Sequence, residues 1–320
     1  MILILSDVDE PTTDLVINWL LKKDKKFLRI SSEDSIDILN IYFENNNLEV
    51  DFKVKNRKIS TKEITSYWYR RSYFNLKNFK RVTNTKEHSE IKFNNAISNY
   101  VNLENLECLR ILELSLNRKA KLNIRTDNNI SKIANIEIAS KCGIKTPKTI
   151  ITNNKSELKK FFFENNKNII TKPIGDPNFL LELNLHANTT KINEKDLENN
   201  FTLSLFQECI QKKFELRIFY LNQTFYSSAV MSQESEKTML DLKNYNIENP
   251  NRILPYKIPI ELENKLTNVM KMIGLKSGSI DLAVNTNGEY IFFEVNPVGQ
   301  FEQVAIPCSY NLFRIISEIL

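Results

Sequence analysis

Apolar residues recur along the chain with periods of two and of about 3.6 residues, and these periods predict alternating strands and helices. Residues 2–5 form a short apolar run typical of a buried strand, residues 13–22 place apolar side chains on one helical face, and residues 27–31 are predicted to form a second strand. A strand, a helix and a second strand in this order favour an α/β domain with a partly parallel sheet.

The same reading extends through the rest of the chain without internal repeats. Gly143 directly follows the helix predicted at 130–142, where a glycine that ends a helix is expected. The remaining predicted elements are a hairpin at 48–60, a strand at 66–70, helices at 85–116 and 130–142, a strand at 168–172, a hairpin at 179–192, strands at 203–208, 214–220 and 224–230, a helix at 261–273 and a hairpin at 279–296.

Composition removes several classes of function. The 320 residues include 44 basic and 39 acidic side chains, a net charge of +5 that is too balanced to indicate nucleic-acid or membrane binding. The 6 glycines are not spaced as a dinucleotide site or a P-loop requires, and the 2 histidines and 4 cysteines lack zinc-site spacing. The N-terminus lacks a signal-peptide pattern, so we expect a cytoplasmic protein with reduced thiols.

One hairpin indicates a metal site. Asn287 and Gly288 form a strong two-residue turn signal between alternating apolar residues. Such a turn pairs Thr286 with Glu289, and the same register sets Asp281 opposite Glu294. Asn296 lies two residues beyond Glu294 and shares its face of the strand. These three oxygen ligands suit Mg²⁺, although an exposed sheet face with solvated acids is an equally good interpretation.

Several cationic side chains carry weaker signals. Lys172 ends a predicted strand and Lys132 lies in a predicted helix, and either could be an ordinary surface lysine. Glu215 and Arg217 share one face of the strand at 214–220 and could form a supporting ion pair. None of these residues indicates a function by itself.

Taken in order, these residues resemble the nucleotide-binding and metal-binding residues of the ATP-grasp ligases over nearly the whole chain. The resemblance implies that Lys132 and Lys172 bind ATP phosphates and that Glu215 binds ribose. It implies that Asp281, Glu294 and Asn296 bind Mg²⁺, with EVNP at 294–297 as the metal-binding strand. The adenine-binding hinge would consist of Gln207, Glu208, Cys209 and Ile210.

Six further motifs resemble the maturases of graspetides, including the microviridin ligases and above all the grasp-with-spasm maturases. They are MILILS at 1–6, WYRR at 68–71, GIKTPKT at 143–149, FELRI at 214–218, NRILPYKIP at 251–259 and NPVGQF at 296–301. The chain departs from its relatives where a DWR-like tripeptide is replaced by Asp241, Leu242 and Lys243. The glycine-rich flap is reduced to Gly175, as in the microviridin ligases.

The resemblance implies an α/β (α+β) ATP-grasp fold with three parts. These are an N-terminal pre-ATP-grasp α/β domain at 1–118, a central lid subdomain at 119–205 and a C-terminal domain carrying the Mg²⁺ site at 206–320. The segment 178–195 matches a region that docks the leader peptide in microviridin-type ligases. Arg70 and Arg71 of WYRR would hold acidic peptide, or else support the fold.

The implied activity is ATP-dependent macrocyclisation of a ribosomally made precursor peptide with leader and core. An Asp or Glu side chain becomes an acyl phosphate and is joined to a Thr or Ser hydroxyl as an ω-ester, or to Lys as an ω-amide. Arg217, Lys243 and Arg252 would assist, although Arg252 could equally anchor its loop. The family likeness also suggests a homodimer. The alternatives are a ligase that adds an amino acid to a peptide or protein, and a non-catalytic peptide-binding homologue.

Overall fold

The computed structural model describes residues 1–76, 79–80, 88–128, 131–175, 189–198, 200–234 and 250–320. The chain forms two compact units, Met1–Thr126 with Asn311–Leu320, and Asp127–Tyr310. The last ten residues therefore group with the N-terminal unit. The three-part division stays a prediction. None of the helices in the described ranges is long and apolar enough to cross a membrane.

The first unit begins with β1 (Ile2–Ser6), helix α1 (Pro11–Lys22) and β2 (Phe27–Ile30), and β6 (Ser66–Arg70) follows later in the chain. These three strands form a parallel sheet in the order β2-β1-β6. Pro11 occupies the first turn of α1, and the Glu10 carboxylate caps the helix by accepting from the Thr13 amide at 2.7 Å. The predicted strand, helix and parallel strand are confirmed.

The first unit also contains strands β3 (Ser35–Glu44), β4 (Asn47–Val54), β5 (Arg57–Ser60) and β7 (Asn75–Leu76), together with helices α2 (His88–Asn117) and α7 (Leu312–Ile319). The strands form a second sheet in the order β5-β4-β3-β7. The hairpin expected at 48–60 is present as β4 and β5, and β3 extends it to a meander. Helix α2 packs on this sheet, where Ser115 Oγ donates to the Leu48 carbonyl at 3.1 Å.

The second unit contains helix α3 (Lys132–Lys141), whose C-cap is Cys142 and which is followed by Gly143 in the left-handed region at φ +75°, as expected. A sheet in the order β10-β9-β11-β8 follows. The elements are α3 (Lys132–Lys141), β8 (Thr149–Thr152), α4 (Lys155–Glu164), β9 (Ile169–Lys172), β10 (Thr190–Ile192) and β11 (Ser204–Glu208). The hairpin predicted at 179–192 lies mostly outside the described residues.

The other sheet of this unit is antiparallel, in the order β14-β13-β12-β15-β16. One of its faces carries buried apolar side chains, including Leu216, Ile218, Ile280 and Leu282, which pack with α3 and α5. The elements are β12 (Lys212–Leu221), β13 (Thr224–Val230), β14 (Ile253–Pro255), α5 (Ile260–Ile273), β15 (Ser277–Asn285), β16 (Tyr290–Asn296) and α6 (Glu302–Ala305). Because side chains alternate between the two faces of a strand, Glu215, Arg217 and Asp281 project from the other face.

The β15–β16 hairpin differs from its predicted turn. The Asn285 amide donates to the Glu289 carbonyl at 3.0 Å, so three residues form the loop instead of two, with Gly288 at φ +82°. The pairing is therefore shifted by one residue near the turn, where Leu282 pairs with Phe292. A bulge between Asp281 and Leu282 reverses the shift. Asp281 consequently pairs with Glu294 as predicted.

Candidate active site

A row of charged residues crosses the polar face of the five-stranded sheet. Arg217 of β12 pairs with Asp281 of β15, and Asp281 pairs with Glu294 of β16. Directly paired residues project on the same face of a sheet, so the three side chains are neighbours. Two facing carboxylates destabilise a strand pair unless a cation compensates them.

Two cations flank this pair of carboxylates. Lys132 Nζ lies 3.8 Å from Glu294 Oε2, and Arg217 Nε lies 4.0 Å from Asp281 Oδ1. Arg217 Nη1 also donates to Gln303 Oε1. The four side chains are 19–28% exposed, so the cluster is accessible from solvent without being fully hydrated. The structure thus brings together four of the predicted site residues from α3, β12, β15 and β16.

The third predicted metal ligand lies next to this row. Asn296 pairs with Ser279, which places it on the face of Glu294, and its Oδ1 accepts from the Gly299 amide at 3.1 Å. An amide oxygen has a second lone pair available for a cation. The donor set fits Mg²⁺, which prefers oxygen ligands and few protein groups. Within the described residues, no group of three or more His, Cys, Asp or Glu side chains forms a metal site, so this set depends on the amide.

Gly299 holds the backbone that follows Asn296. Its φ is +59°, and a Cβ there would lie 2.6 Å from Ser279 Oγ and 2.9 Å from the Ser279 amide nitrogen. Only glycine accommodates both this conformation and this close approach. The glycine of the NPVGQF motif therefore fixes the loop that bonds to the Asn296 side chain.

A buried amide joins the helix of Lys132 to the strand of Glu294. Asn135 is 1% exposed, and its Nδ2 donates to the Val295 carbonyl at 3.3 Å. Its Oδ1 has no hydrogen-bond partner among the described residues. An unpaired buried carbonyl oxygen lowers the free energy of unfolding. An apolar side chain in place of Asn135 would not have this effect. Asn135 lies one turn beyond Lys132 and ties α3 to the backbone between Glu294 and Asn296.

Glu215 sits two residues before Arg217 on the same strand face and is deeply buried. Its Oε1 accepts from Lys212 Nζ at 2.6 Å and from Ser232 Oγ at 3.1 Å. Burial raises the pKa of the Glu215 carboxyl, and the Lys212 charge and the two hydrogen bonds oppose that shift only in part. The structure therefore gives Glu215 a lysine partner that the sequence analysis did not single out. Ribose binding by Glu215 stays a prediction.

The predicted hinge begins in β11 and continues beyond its end. Gln207 is buried and donates from Nε2 to Thr149 Oγ1 at 2.9 Å. The Cys209 amide donates to the Asn168 carbonyl at 3.0 Å, and the Cys209 carbonyl accepts from Asn168 Nδ2 at 2.9 Å. Burial raises the pKa of the Cys209 thiol, which disfavours a nucleophilic thiolate. Adenine binding through Gln207–Ile210 stays a prediction.

Lys172 is half-buried at the end of β9, opposite Leu205 of β11. Arg252 is exposed just before β14, and its carbonyl accepts from the Met231 amide at 2.9 Å, so its backbone anchors the loop. Phosphate binding by Lys172 and assistance of the reaction by Arg252 both stay predictions. Lys243 and residues 178–188 of the predicted leader-docking segment lie outside the described residues.

The two arginines of WYRR, in the first unit, differ in exposure. Arg70 is 2% exposed, and its Nη2 donates to Glu10 Oε1 at 2.8 Å. For Arg70 the structure therefore favours the fold-supporting alternative over contact with a peptide, because burial leaves its guanidinium no face for a ligand. Arg71 is exposed, with φ +55°. Its contact with acidic peptide stays a prediction.

Sequence reasoning missed Asn135, Lys212 and Gln303. Asn135 follows Lys132 by three residues, so helical periodicity could have placed the two near one face. Lys212 precedes Glu215 by three residues across an irregularity between Lys212 and Phe214, which breaks the period of two. Gln303 is 86 residues from Arg217, and no local pattern could have joined them.

Known structures share this fold over the whole chain. The crystal structure of macrocyclase MdnC bound with precursor peptide MdnA from Microcystis aeruginosa matches with a TM-score of 0.75 and 24% identity, covering 100% of this chain and 99% of that one. A Chryseobacterium gregarium RiPP-associated ATP-grasp ligase in complex with ADP and a leader and core peptide matches with a TM-score of 0.76 and 22% identity, covering 100% and 96%.

A more distant match is N5-carboxyaminoimidazole synthetase from Staphylococcus aureus, with a TM-score of 0.52 and 9% identity, covering 94% of this chain and 72% of that one. No family profile and no curated protein matches the sequence. The predicted fold class is confirmed, because the chain has the α/β fold of the ATP-grasp ligases.

Proposed function

We propose that this protein is an ATP-dependent, ADP-forming ligase that closes macrocycles in a ribosomally made precursor peptide. The observation that carries the proposal is the row of Arg217, Asp281 and Glu294, with Lys132 beside it, on the polar face of an ATP-grasp sheet. The whole-chain likeness to structures described as a macrocyclase with its precursor peptide and as a RiPP-associated ligase with ADP supports the peptide substrate.

The charge of each residue indicates its role in the reaction. Asp281, Glu294 and the Asn296 amide oxygen would hold Mg²⁺, which, when bound, neutralises charge on the ATP phosphates. Lys132 and Lys172 would bind phosphate oxygens as point charges, and the Arg217 guanidinium would hold the transferring group through forked hydrogen bonds. The hinge Gln207–Ile210 and Glu215 would bind adenine and ribose. Lys243 and Arg252 would add charge at the peptide end of the site.

The reaction needs an activated carboxylate, because a carboxylate is a poor electrophile. An Asp or Glu side chain of the core attacks the terminal phosphoryl group of ATP, releasing ADP and giving an acyl phosphate. A Thr or Ser hydroxyl attacks that acyl carbon, loses its proton and releases phosphate, leaving an ω-ester. A Lys amine in the same position would give an ω-amide. Each ring therefore removes one water from the peptide and consumes one ATP.

We expect two other regions to bind the peptide. Arg71 would bind acidic side chains through bidentate hydrogen bonds, and the segment 178–195 would dock the leader. A leader site apart from the reacting groups raises the local concentration of the core and permits several rings per binding event. We further expect the protein to act in the cytoplasm and as a homodimer.

The test is the intact mass of a candidate precursor, encoded beside the gene of this protein, after incubation with the protein, ATP and Mg²⁺. We expect successive losses of about 18 Da, one per acyl phosphate consumed. Glu294→Gln should slow them by at least about a hundredfold, because a preorganised charge contributes a few kcal/mol to such transfers. Glu289→Gln is the matched control, since Glu289 lies in the same hairpin and pairs with Lys145 at the surface.

The other outcomes identify the alternatives. A gain in peptide mass equal to an amino-acid residue would indicate a ligase that adds an amino acid, with the same ATP residues. Binding of a verified precursor without consumption of ATP would indicate a non-catalytic peptide-binding protein. Equal activity of Glu294→Gln and the unaltered protein would refute the assignment of the charged row.

A further inference from the structure

The three parallel strands of the first unit end at the same edge of their sheet, and the residues that follow them are hydrogen-bonded there. Asp7 follows β1, Ser32 lies two residues beyond β2, and Ser72 lies two residues beyond β6. The Asp7 oxygen Oδ1 accepts from the Ser32 amide at 3.2 Å, from Ser32 Oγ at 2.7 Å and from Ser72 Oγ at 2.6 Å. One carboxylate therefore links all three strand ends.

The Asp7 carboxyl is ionised at neutral pH. Burial alone would raise its pKa, but the hydrogen bonds from Ser72 and Ser32 and the charge of Arg29 outweigh burial and hold the pKa below its ordinary value of 3.8. Hydrogen bonds to a charged acceptor are stronger than those between neutral groups. Asp7 therefore holds the residues after β6 more firmly than a neutral side chain would.

The segment 71–75 follows β6 and is fixed to this edge at two points. Ser72 bonds to Asp7, and Asn75 Nδ2 donates to the Ser32 carbonyl at 3.0 Å. The first bond joins the segment to the end of β1, and the second joins it to the residues after β2. The segment is therefore held across the carboxyl ends of the sheet.

Side chains of the segment 71–75 alternate between the protein interior and solvent. Ser72 and Phe74 are each 3% exposed. Arg71 is exposed, and Tyr73 is 58% exposed. The two inward side chains anchor the segment, and the two outward ones present a cation and an aromatic ring to solvent.

The backbone of Arg71 is held in an uncommon conformation. Its φ is +55°, and it forms an isolated antiparallel bridge with Ser6 at the end of β1. Positive φ is uncommon for an arginine, and strained residues of this kind persist where surrounding contacts fix them and cluster at ligand sites. The Ser6 bridge and the bond from Ser72 to Asp7 are such contacts. The direction of the Arg71 side chain therefore depends on Asp7.

The position of this surface in the fold also favours a ligand. Open α/β sheets bind ligands outside the carboxyl ends of their strands, where neighbouring strands connect in opposite directions. The chain leaves β1 through α1 toward β2 on one side, and β6 lies on the other side of β1. The segment 71–75 begins at this point of the sheet.

We propose that Asp7 is a positioning residue for a peptide-binding surface formed by Arg71 and Tyr73. Arg71 binds a carboxylate of an acidic peptide through paired hydrogen bonds, and the Tyr73 ring packs on the neighbouring apolar part of the peptide. Asp7 does not touch the peptide and acts by fixing the segment that carries both side chains. The identity of the ligand rests on the proposed function, because a ligase that activates Asp or Glu side chains must hold an acidic core.

Binding of the core peptide without ATP tests the surface separately from catalysis. The probes are the labelled core of the candidate precursor, without its leader, and a copy in which Asn and Gln replace its Asp and Glu. Fluorescence anisotropy gives the Kd of each probe. We expect Arg71→Gln to weaken binding of the acidic core roughly tenfold and to leave the copy unchanged, because a hydrogen bond between charged groups is lost. Tyr73→Ala should weaken binding of both probes.

Ser72→Ala and Ser31→Ala form a matched pair that tests the role of Asp7. Both serines are 3% exposed, and each donates its hydroxyl to a carboxylate, Ser72 to Asp7 at 2.6 Å and Ser31 to Asp34 at 3.0 Å. Only Ser72 belongs to the segment 71–75. We expect similar losses of unfolding free energy in urea denaturation. Only Ser72→Ala should weaken binding of the acidic core, by about twofold to tenfold for one hydrogen bond.

Asp7→Ala separates position from charge, with Asp34→Ala as its control. Loss of a negative charge would by itself strengthen binding of an acidic peptide, so weaker binding identifies a positioning effect. We expect Asp7→Ala to reduce the preference for the acidic core over the copy. In an Arg71→Gln background it should reduce that preference no further, because Asp7 acts on it through Arg71.

The outcomes distinguish this surface from the ligase activity. Equal affinities of Ser72→Ala and Ser31→Ala for the acidic core, tighter binding by Asp7→Ala, or no binding of the core by the unaltered protein at millimolar concentration would overturn the proposal. Core binding that depends on Ser72 and Arg71, without loss of water from the precursor, would support the surface and refute the ligase. Ring formation with unchanged kcat/KM in both of these variants would refute the surface alone.

Discussion

Asn135 connects the two elements that carry charge into the candidate site. Its amide bonds to the strand between Glu294 and Asn296, and it lies one helical turn from Lys132. A buried amide with one unpaired oxygen costs about 1–3 kcal/mol relative to an apolar residue. We interpret this cost as the consequence of fixing Lys132 relative to the predicted metal ligands.

Replacing Asn135 with Leu should therefore lower ATP turnover more than stability. We expect roughly a tenfold to hundredfold loss in kcat/KM, since small displacements of positioning groups have effects of this size. A purely structural role of Asn135 would leave the Mg²⁺ concentration for half-maximal activity unchanged. We expect this concentration to rise.

Asn165→Leu is the control for this variant. Asn165 is also buried, also has an Oδ1 without a partner among the described residues, and also donates to a backbone carbonyl, that of Phe161 at 2.7 Å. It caps α4, away from the charged row. If both variants changed the Mg²⁺ dependence equally, Asn135 would have no positioning role.

Gly299 and Gly288 allow the effect of a close approach to be separated from that of backbone conformation. Both have positive φ, but a Cβ at Gly288 meets nothing within 4 Å, whereas at Gly299 it meets Ser279. Gly288→Ala should cost about 1 kcal/mol of unfolding free energy. Gly299→Ala should cost more and also displace the Asn296 side chain. Urea denaturation compares the two, and equal losses would contradict the close approach.

At the scale of elements, the first turn of α1 depends on an ion pair. Glu10 caps α1 and also accepts from the buried Arg70. Burial alone would raise the pKa of the Glu10 carboxyl, but the Arg70 charge and the hydrogen bonds from Thr13 and Arg70 outweigh it and hold the pKa below its ordinary value of 4.5. Removal of one partner of a buried pair typically costs about 3–5 kcal/mol.

Glu10→Gln should therefore destabilise the protein at neutral pH and much less in acid. A carboxyl with a lowered folded pKa contributes stability above its unfolded pKa and loses it as the pH falls through the folded value. The difference in unfolding free energy between the two proteins should shrink as the pH falls below 4.5. Urea denaturation at neutral and acidic pH measures it.

Asp14→Asn is the control for Glu10→Gln, because Asp14 lies on the same helix and pairs with Arg29 at the surface. Exposed pairs contribute only about 0–1 kcal/mol. A pH-independent difference for Glu10→Gln would show that the carboxylate charge does not stabilise this helix end.

At the scale of the whole molecule, the predicted nucleotide residues all belong to the unit 127–310. A ligand that binds only the native state stabilises it by about 2.7 kcal/mol at a hundredfold excess over Kd. A non-hydrolysable ATP analogue with Mg²⁺ should therefore slow amide exchange in β9, β11, β12, β15 and β16. Glu294→Gln should lose most of this protection, and protection confined to the other unit would contradict the site.

The sequence by itself determined the order of the elements, the α/β class and one face of the functional sheet. These features follow from local periods of two and 3.6 and from turn residues such as Gly143, which act within a few positions of the chain. Local pattern was also sufficient to pair Asp281 with Glu294, although through a two-residue turn that the molecule does not have. The three-residue loop and the bulge each shift the register by one, and the shifts cancel.

Only the tertiary structure decided which distant residues meet. It buried Arg70 against Glu10, gave Glu215 its lysine partner, tied Asn135 to Val295 and joined Arg217 to Gln303. Apart from the Lys212–Glu215 pair, which crosses a backbone irregularity, these contacts span tens of residues or more. Their formation depends on how helices and sheets pack, because packing fixes which polar groups lose water and must find partners inside the protein.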